Sequence, residues 1–440
     1  MIGDTLACKQ KIFTIKYYEP LVKVNSILYI FNMNILYIHQ YFHTPSEPGG
    51  TRSYWISKEL INRGHNVTMI TSTNSYHPDP CEMMIDGIKV IYVKNEYSNY
   101  MSRMRKIKSF VSFLNLAIKE GCKQKDVDMV YATSTPLTVG YVAFKLKKRK
   151  KFPYVFEVRD LWPEFPIQIG AIRNSLLIWF LRKLEKRIYE NAEHVVALSP
   201  GMQDGIITTG TPREKTSMVP NMSKPDLFYP HEVDMKVVKD FCIDTSKFNV
   251  IHFGSMGRAN GLEYIIDAAK YVYDKGYDDI NFIFMGHGAT EPELKKRADS
   301  FGLNNIKFLG NHKMKTVIEV VNACDASITT FKNLPILATN SPNKLFDSLS
   351  AGKPIIVNSA GWTKDLVEQG DCGFFVDPEN PAALADMLIE LKDKEELLIK
   401  WGKNARKLSE EVYDKSKLSA QVADVLENAY ANLNNNTELQ

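Results

Sequence analysis

Short apolar runs separated by stretches with three-to-four-residue periodicity fill the chain from Met33 onward. Asn34-Ile35-Leu36-Tyr37-Ile38 reads as a strand. It leads through the loop Glu47-Pro48-Gly49-Gly50-Thr51-Arg52 into a helical pattern carried by Trp55, Ile56, Leu60 and Ile61. That helix stops at Arg63-Gly64-His65, and Asn66-Val67-Thr68-Met69-Ile70 follows as a second strand. Strand, glycine loop, helix and strand make a βαβ unit with parallel strands and a right-handed crossover. Further apolar runs at 88–93, 129–131, 154–158 and 195–198, with helical patterns at 103–119 and 175–190, continue the alternation.

A second series starts at Val250-Ile251-His252-Phe253-Gly254, after a linker bearing Pro220, Pro225 and Pro230. It predicts helices at 261–275, 291–301, 314–323 and 343–351, interleaved with strands at 281–285, 306–308, 326–330 and 354–357. Helices near 382–394 and 416–432 close the chain. The expectation is an α/β protein with two Rossmann-like, doubly wound parallel-sheet domains, at 33–225 and 226–415, facing each other across a cleft. A last helix and tail, 416–440, are expected to pack back toward the first domain. Residues 1–32 lack a sustained period, and their apolar stretch is interrupted by Asn25, Ser26 and Asn32. They read as an N-terminal extension that is not native, with Met33 as the natural start.

Composition removes several classes of function. With 44% hydrophobic and 24% charged residues over 440 positions, the chain is neither mainly disordered nor a multi-span membrane protein. Six scattered cysteines give no zinc knuckle or disulfide framework, which fits a reducing cytoplasm. The net charge of +4 hides an asymmetry: residues 33–230 hold 27 basic against 18 acidic side chains, and 231–440 hold 24 against 31. A basic half beside an acidic half points to an anionic partner on one side, a lipid phosphate or membrane surface, with solvated lysines as the plain alternative.

The candidate chemistry sits in the loops. Gly49-Gly50, between a strand and a helix, lets backbone N–H groups approach an anion, although a plain βα turn has equal weight. It is not Gly-x-Gly-x-x-Gly, so a nicotinamide dinucleotide is not favoured. The corresponding loop of the second half, Gly254-Ser255-Met256-Gly257-Arg258-Ala259-Asn260-Gly261, offers Arg258 as a cation for phosphate oxygens and Asn260 as an amide donor. In Ser341-Pro342-Asn343-Lys344-Leu345-Phe346-Asp347, Lys344 falls in the first turn of a helix, where a cation is unfavourable unless an anion binds there. Asn343 and Asp347 share a face and are assigned to a diphosphate and a sugar hydroxyl. Arg159-Asp160 follows the strand at 154–158 at the edge of the cleft. Asp160 is assigned to orient the acceptor or take its proton, and Arg159 to hold an anionic substrate; a structural ion pair is the competing reading. Asp126-Val127-Asp128 precedes its strand, so no metal is needed to explain phosphate binding.

Three basic clusters mark the first half. Arg103, Arg105, Lys106 and Lys108 accompany an apolar stripe; Lys147, Lys148 and Arg149 lie in a lysine run; Arg182, Lys183, Lys186 and Arg187 form the third. Together they suggest peripheral contact with an anionic membrane.

Five segments carry a resemblance to a known family: His39-Gln40-Tyr41-Phe42 with Gly49-Gly50, Arg63-Gly64-His65-Asn66-Val67, Ser134-Thr135-Pro136-Leu137, Glu157-Val158-Arg159-Asp160-Leu161-Trp162-Pro163-Glu164, and Ser341 to Asp347. They resemble glycosyltransferase family 4 of the GT-B fold, and most of all its N-acetyl-L-fucosamine and amino-sugar transferases of O-antigen and capsule synthesis. The resemblance implies a retaining transfer from a nucleotide sugar, usually UDP-linked, to a lipid-diphosphate-linked saccharide, without a cofactor. The acceptor then belongs to the first domain and the donor to the second. Of the family's Glu-x7-Glu pair the second member falls at Asp347 and the first at Thr339; its Gly-Arg and Lys-Gly fall at Gly254-Ser255 and Asn260-Gly261. Arg258 and Lys344 become the candidates to meet the phosphate charge. Many members have His-Asp where this chain has Arg159-Asp160. A sugar-nucleotide 2-epimerase of the same architecture is the alternative enzyme. A nucleic-acid-binding protein is the non-enzymatic one, disfavoured by the absence of a recognition module.

Overall fold

The computed structural model describes residues 32–47, 49–97 and 101–438. The extension read at 1–32 therefore lies outside them except for its last residue. The first sheet comprises β1 (Asn34–Ile38), β2 (Asn66–Ser72), β3 (Cys81–Ile85), β4 (Ile88–Val93), β5 (Met129–Thr133), β6 (Tyr154–Val158), β7 (His194–Ala197) and β8 (Thr216–Met218). Their spatial order is β3-β4-β2-β1-β5-β6-β7-β8, parallel except for the β3-β4 edge hairpin. The second sheet comprises β9 (Phe248–Phe253), β10 (Ile280–Met285), β11 (Ile306–Gly310), β12 (Ala326–Thr329), β13 (Ile355–Val357) and β14 (Gly373–Phe375), ordered β11-β10-β9-β12-β13-β14 with parallel pairing. Strands β5, β6, β9 and β10 are buried along their whole length, as expected for parallel sheets covered by helices on both faces. The first strand of each half, β1 or β9, is central, so the loops that follow both open where the strand order reverses.

The apolar runs read from the sequence all form strands. Three further strands gave no signal. In β3 the exposed Met83 and Met84 break any inward alternation; the strand exists because Asp86 and Gly87, both at positive φ (49° and 90°), turn the chain back onto β4. Strands β8 and β14 have three residues each. The helix Glu395–Glu411 was unread because it buries the small residues Gly402, Ala405 and Ser409 rather than a large apolar stripe. Asp128 proves structural: its carboxylate accepts from the Asn34 N–H at 2.7 Å.

One buried ion pair anchors the passage between the halves. Arg52, first residue of the helix Arg52–Asn62, donates through Nε to Glu157 Oε2 at 2.9 Å and through Nη2 to the Val219 carbonyl at 3.0 Å; Nη1 donates to the Pro220 carbonyl. Glu157 also accepts from the Tyr131 hydroxyl at 2.7 Å and from Thr133 Oγ1 at 3.2 Å. Burial pushes the Glu157 carboxyl up, but the charges of Arg52 and Arg159 outweigh it and hold the group below the usual carboxylate range. The connecting segment is then stitched to the helix Asn343–Ser350: Asn221 N–H donates to Ser341 Oγ at 3.1 Å, Ser223 Oγ to the Phe346 carbonyl at 3.0 Å, and Lys224 N–H to Ser350 Oγ at 2.9 Å. The helix Lys415–Glu438 packs on Arg52–Asn62, where Arg63 reaches Asp424 at 2.7 Å and Glu427 at 2.9 Å, and His65 Nε2 reaches Glu427 at 3.0 Å.

Arg52→Met strands a buried carboxylate and two carbonyls at once, so it is expected to cost about 3–5 kcal/mol, read as a lower midpoint of urea unfolding. Tyr131→Phe, which removes one hydrogen bond, costs about 1 kcal/mol. Equal midpoints for Arg52→Met and wild type contradict the anchoring role.

Candidate functional site

A cavity of about 700 Å3 lies between the carboxyl ends of the two sheets. The loop after β1 contributes His39, Tyr41, His43, Gly49 and Gly50; the loop after β6 contributes Arg159 and Asp160; the loop after β9 contributes Gly254, Gly257 and Asn260; and the start of the helix Asn343–Ser350 contributes Asn343, Lys344 and Asp347. Ten sequence-predicted residues thus meet in one place. Across the cavity the first half nears the second at Gly50, where a Cβ would lie 3.3 Å from Asn343 Nδ2, and 3.5 Å from Nη2 of Arg159 in its own half. Gly49 has φ of 143°, and a Cβ there would sit 2.6 Å from His43 Cδ2 of its own loop, so glycine is required at that position.

Arg258 is not among them. It begins the short turn Arg258–Asn260, is exposed, and borders a separate cavity of about 390 Å3 with Glu263, Glu293 and Arg297. Gly257 stays extended before the turn, which leaves Gly257 and Asn260 on the cleft side while the arginine projects away. Asn260 itself holds the loop, donating Nδ2 to the Ser255 carbonyl. Asp347 is also engaged differently from its sequence reading: Lys224 Nζ lies 2.8 Å from its Oδ1, both side chains largely buried. Burial raises the Asp347 carboxyl, and Lys224 opposes that. No spacing rule flags Lys224, because it comes from the connecting segment far upstream.

Lys344 has another surrounding. Its Nζ is 3.0 Å from Nε2 of His252, a buried residue of β9, and no carboxylate pairs with it among the described residues. Burial pushes the ammonium down to about 7. Burial, and then the charge of Lys344, hold His252 well below the ordinary imidazole range, so this partner is neutral. The site therefore offers a buried amine, ready to carry charge when an anion approaches, at a helix start whose N–H groups have no side-chain cap.

Arg159 and Asp160 do not bond to one another. Asp160 Oδ2 accepts from Thr135 Oγ1 at 2.8 Å, and burial raises its carboxyl against that bond and the nearby Arg159 charge. Arg159 Nη1 faces His39 Nε2 at 3.5 Å, and its backbone N–H donates to Ser134 Oγ at 2.9 Å. His39 was visible in the sequence only as part of a family segment; its position directly after the central strand β1 was the available signal.

The basic clusters lie on helices of the first half. Arg105 is exposed and Lys106 partly so, beside exposed Met104, Ile107 and Val111 on the helix Arg103–Lys123; the Arg103 side chain lies outside the described residues. Lys148 and Arg149 are exposed, whereas Lys147 is tied to Glu193 and to the Asn191 carbonyl. Sequence reasoning missed the apolar side of the third cluster: Leu176, Leu177, Trp179 and Phe180 project from the helix Ser175–Asn191, Trp179 at 54% and Phe180 at 57% exposure, with Lys183 Nζ 3.9 Å over the Trp179 ring. Among the described residues no helix is long and apolar enough to cross a membrane.

Comparison with known proteins gives the family. Residues 237–408 match the family described as "Glycosyl transferases group 1", and residues 49–222 match the "Glycosyl transferase 4-like domain". The chain is 22% identical to the alpha-monoglucosyldiacylglycerol synthase of Acholeplasma laidlawii, over 80% of this chain and 87% of that one. It is 24% identical to the putative colanic acid biosynthesis glycosyl transferase WcaI of Escherichia coli, over 54% of this chain and 58% of that protein. Among solved structures, Anabaena HepE in complex with UDP and glucose superposes with a TM-score of 0.68 at 20% identity, covering 90% of this chain and all of that one. With its two halves matched in tandem and the two-sheet arrangement shared, the chain belongs to the glycosyltransferases of GT-B fold.

Proposed function

We propose that the protein is a retaining, metal-independent glycosyltransferase of bacterial surface-polysaccharide synthesis. It moves a sugar, an N-acetylated amino sugar in the reading given by its sequence segments, from a UDP-linked donor to a lipid-diphosphate-linked saccharide. The observation that carries this reading is Lys344, a buried amine with no carboxylate partner among the described residues, beside neutral His252 at the wall of the cavity between the sheets. A donor diphosphate supplies the missing negative charge, and Asn343, Gly50 and the free helix N–H groups add hydrogen bonds to it. Asp160 orients the acceptor, and Arg159 draws the anionic groups together. The UDP reading draws on the ligands of HepE, the polysaccharide reading on the name of WcaI, and the lipid acceptor on the Acholeplasma synthase.

The exposed apolar residues of Ser175–Asn191, among Arg182, Lys183, Lys186 and Arg187, suit the headgroup region of an anionic bilayer. In this reading the enzyme works peripherally at the inner face of the cytoplasmic membrane. The acceptor reaches the cavity from that side.

A screen of UDP-N-acetyl amino sugars, read by the mass of lipid-linked product, tests the reaction itself; no product with any donor contradicts it, and EDTA is expected to leave transfer unchanged. In calorimetry Lys344→Met is expected to weaken UDP binding by about 10- to 50-fold, the worth of a charge-assisted contact, while Arg258→Ala stays within about twofold. Similar losses for the two variants contradict the donor assignment. Trp179→Ser with Phe180→Ser should lower sedimentation with phosphatidylglycerol vesicles by about tenfold or more, since each buried ring is worth about 1.5–3 kcal/mol; unchanged sedimentation removes this helix from the membrane contact.

A further inference from the structure

The segment that connects the halves sets into the cavity wall a polar side chain that no motif singles out. Asn221 is 3% exposed and lines the cavity beside Ser341 and Lys344. Its backbone N–H donates to Ser341 Oγ at 3.1 Å, and its side-chain Nδ2 donates to the Ser341 carbonyl. The opposite amide orientation would set two acceptors, Oδ1 and that carbonyl, against each other, so the contact fixes which end of the amide is which. Both bonded donors are thus turned to Ser341, and Oδ1 is the polar atom left for the cavity. It is buried and has no hydrogen-bond partner among the described residues. The carbonyl of Pro220, just before it, is held by the buried Arg52, so the amide is not free to turn toward another partner. A buried acceptor fixed without a donor is costly, and a ligand that brings the donor removes that cost.

The chemistry of the fitting partner follows from the atom. An amide oxygen only accepts, and so do the oxygens of an ionised diphosphate, so Oδ1 does not suit the group that Lys344 and Asn343 hold in the reading above. Ser341, which grips Asn221, precedes Asn343 by two residues and Lys344 by three. The groups attached on either side of the diphosphate of a sugar nucleotide, the ribose and the transferred sugar, both carry hydroxyls. We propose that Asn221 Oδ1 accepts a hydrogen bond from a hydroxyl of the bound donor, on the ribose or on the transferred sugar, an inference that rests on the transferase reading above. Ser341 is a positioning residue that keeps the amide oxygen toward the ligand. Asp347, an acceptor further along the same helix, is already engaged by Lys224 at 2.8 Å, whereas Asn221 Oδ1 is uncommitted.

Calorimetry on wild type and Asn221→Ala with UDP, 2′-deoxy-UDP, 3′-deoxy-UDP and UDP-N-acetylglucosamine tests the contact and separates its two sources. A ribose contact predicts that wild type favours UDP over one of the deoxy analogues by about 5- to 10-fold, and that Asn221→Ala brings those two within about twofold of each other. A sugar contact predicts that the variant keeps UDP affinity within about twofold and loses about 5- to 10-fold for UDP-N-acetylglucosamine. Equal losses for all four ligands, or no loss for any, overturn the proposal and leave the transferase reading standing. If the alanine variant does not fold, Asn221→Ser, which keeps a hydroxyl donor near the Ser341 carbonyl, is judged by the same ratios. Wild-type protein that binds neither UDP nor UDP-N-acetylglucosamine overturns the transferase reading, and this inference with it.

Discussion

A lysine ammonium in the wall of a protein cavity, facing a neutral imidazole and no carboxylate, is an arrangement that folding alone does not favour. Desolvation opposes the charge, and the helix start at Asn343 repels it further. In the absence of an anion the amine relieves the cost by giving up its proton; in the proposed reading a bound anion satisfies Lys344 and the uncapped helix N–H groups together. The geometry of the cavity follows from this requirement. Gly254 keeps a side chain out of the space beside Lys344, where a Cβ would lie 3.8 Å from its Cε, and Gly50 brings the first half up to Asn343.

Such a site works only if two sheets hold their loops in register. The Arg52–Glu157 pair supplies that register by gripping the chain at Val219 and Pro220, just before it crosses to the second half. A few residues later Asn221, Ser223 and Lys224 bind the helix that bears Lys344. Glu157, the carboxylate that anchors Arg52, lies on β6 two residues before Arg159, so the strand that holds the anchor also opens the loop that carries the site residue. Lys224 extends the coupling into the cavity by pairing with Asp347, and Lys344 has no carboxylate partner among the described residues.

The alternation of apolar runs with helical periods made the two-sheet architecture legible, because parallel strands buried on both faces are apolar throughout. Edge and terminal strands were not legible: β3 faces solvent, and β8 and β14 are too short to carry a period. Within the site, Lys344 was readable because a cation at a helix start conflicts with the helix dipole, and Arg159-Asp160 because they end a buried strand. Lys224 and His252 were not, since each acquires its role from a partner about a hundred residues away. Arg258 was assigned to phosphate from its loop alone, and one short turn aims it out of the cleft. The basic helices were visible as charge, but Trp179 and Phe180 resemble core residues until their neighbours are known.

The charge asymmetry of the chain acquires a local meaning from these contacts. In the proposed reading the acidic half holds its anionic ligand through a few oriented groups rather than through net charge, and the basic half presents part of its surplus on exposed helix positions. The central claim is that Lys344 waits for an anion. Burial lowers its ammonium to about 7, so near neutral pH a substantial share is neutral before an anion binds, and a bound diphosphate favours the charged form. Calorimetric titration of UDP at that pH, in buffers of different ionisation enthalpy, measures the protons exchanged. Uptake of a substantial fraction of one proton by wild type, absent in Lys344→Met, is the predicted result; no uptake, or the same uptake in the variant, contradicts the account.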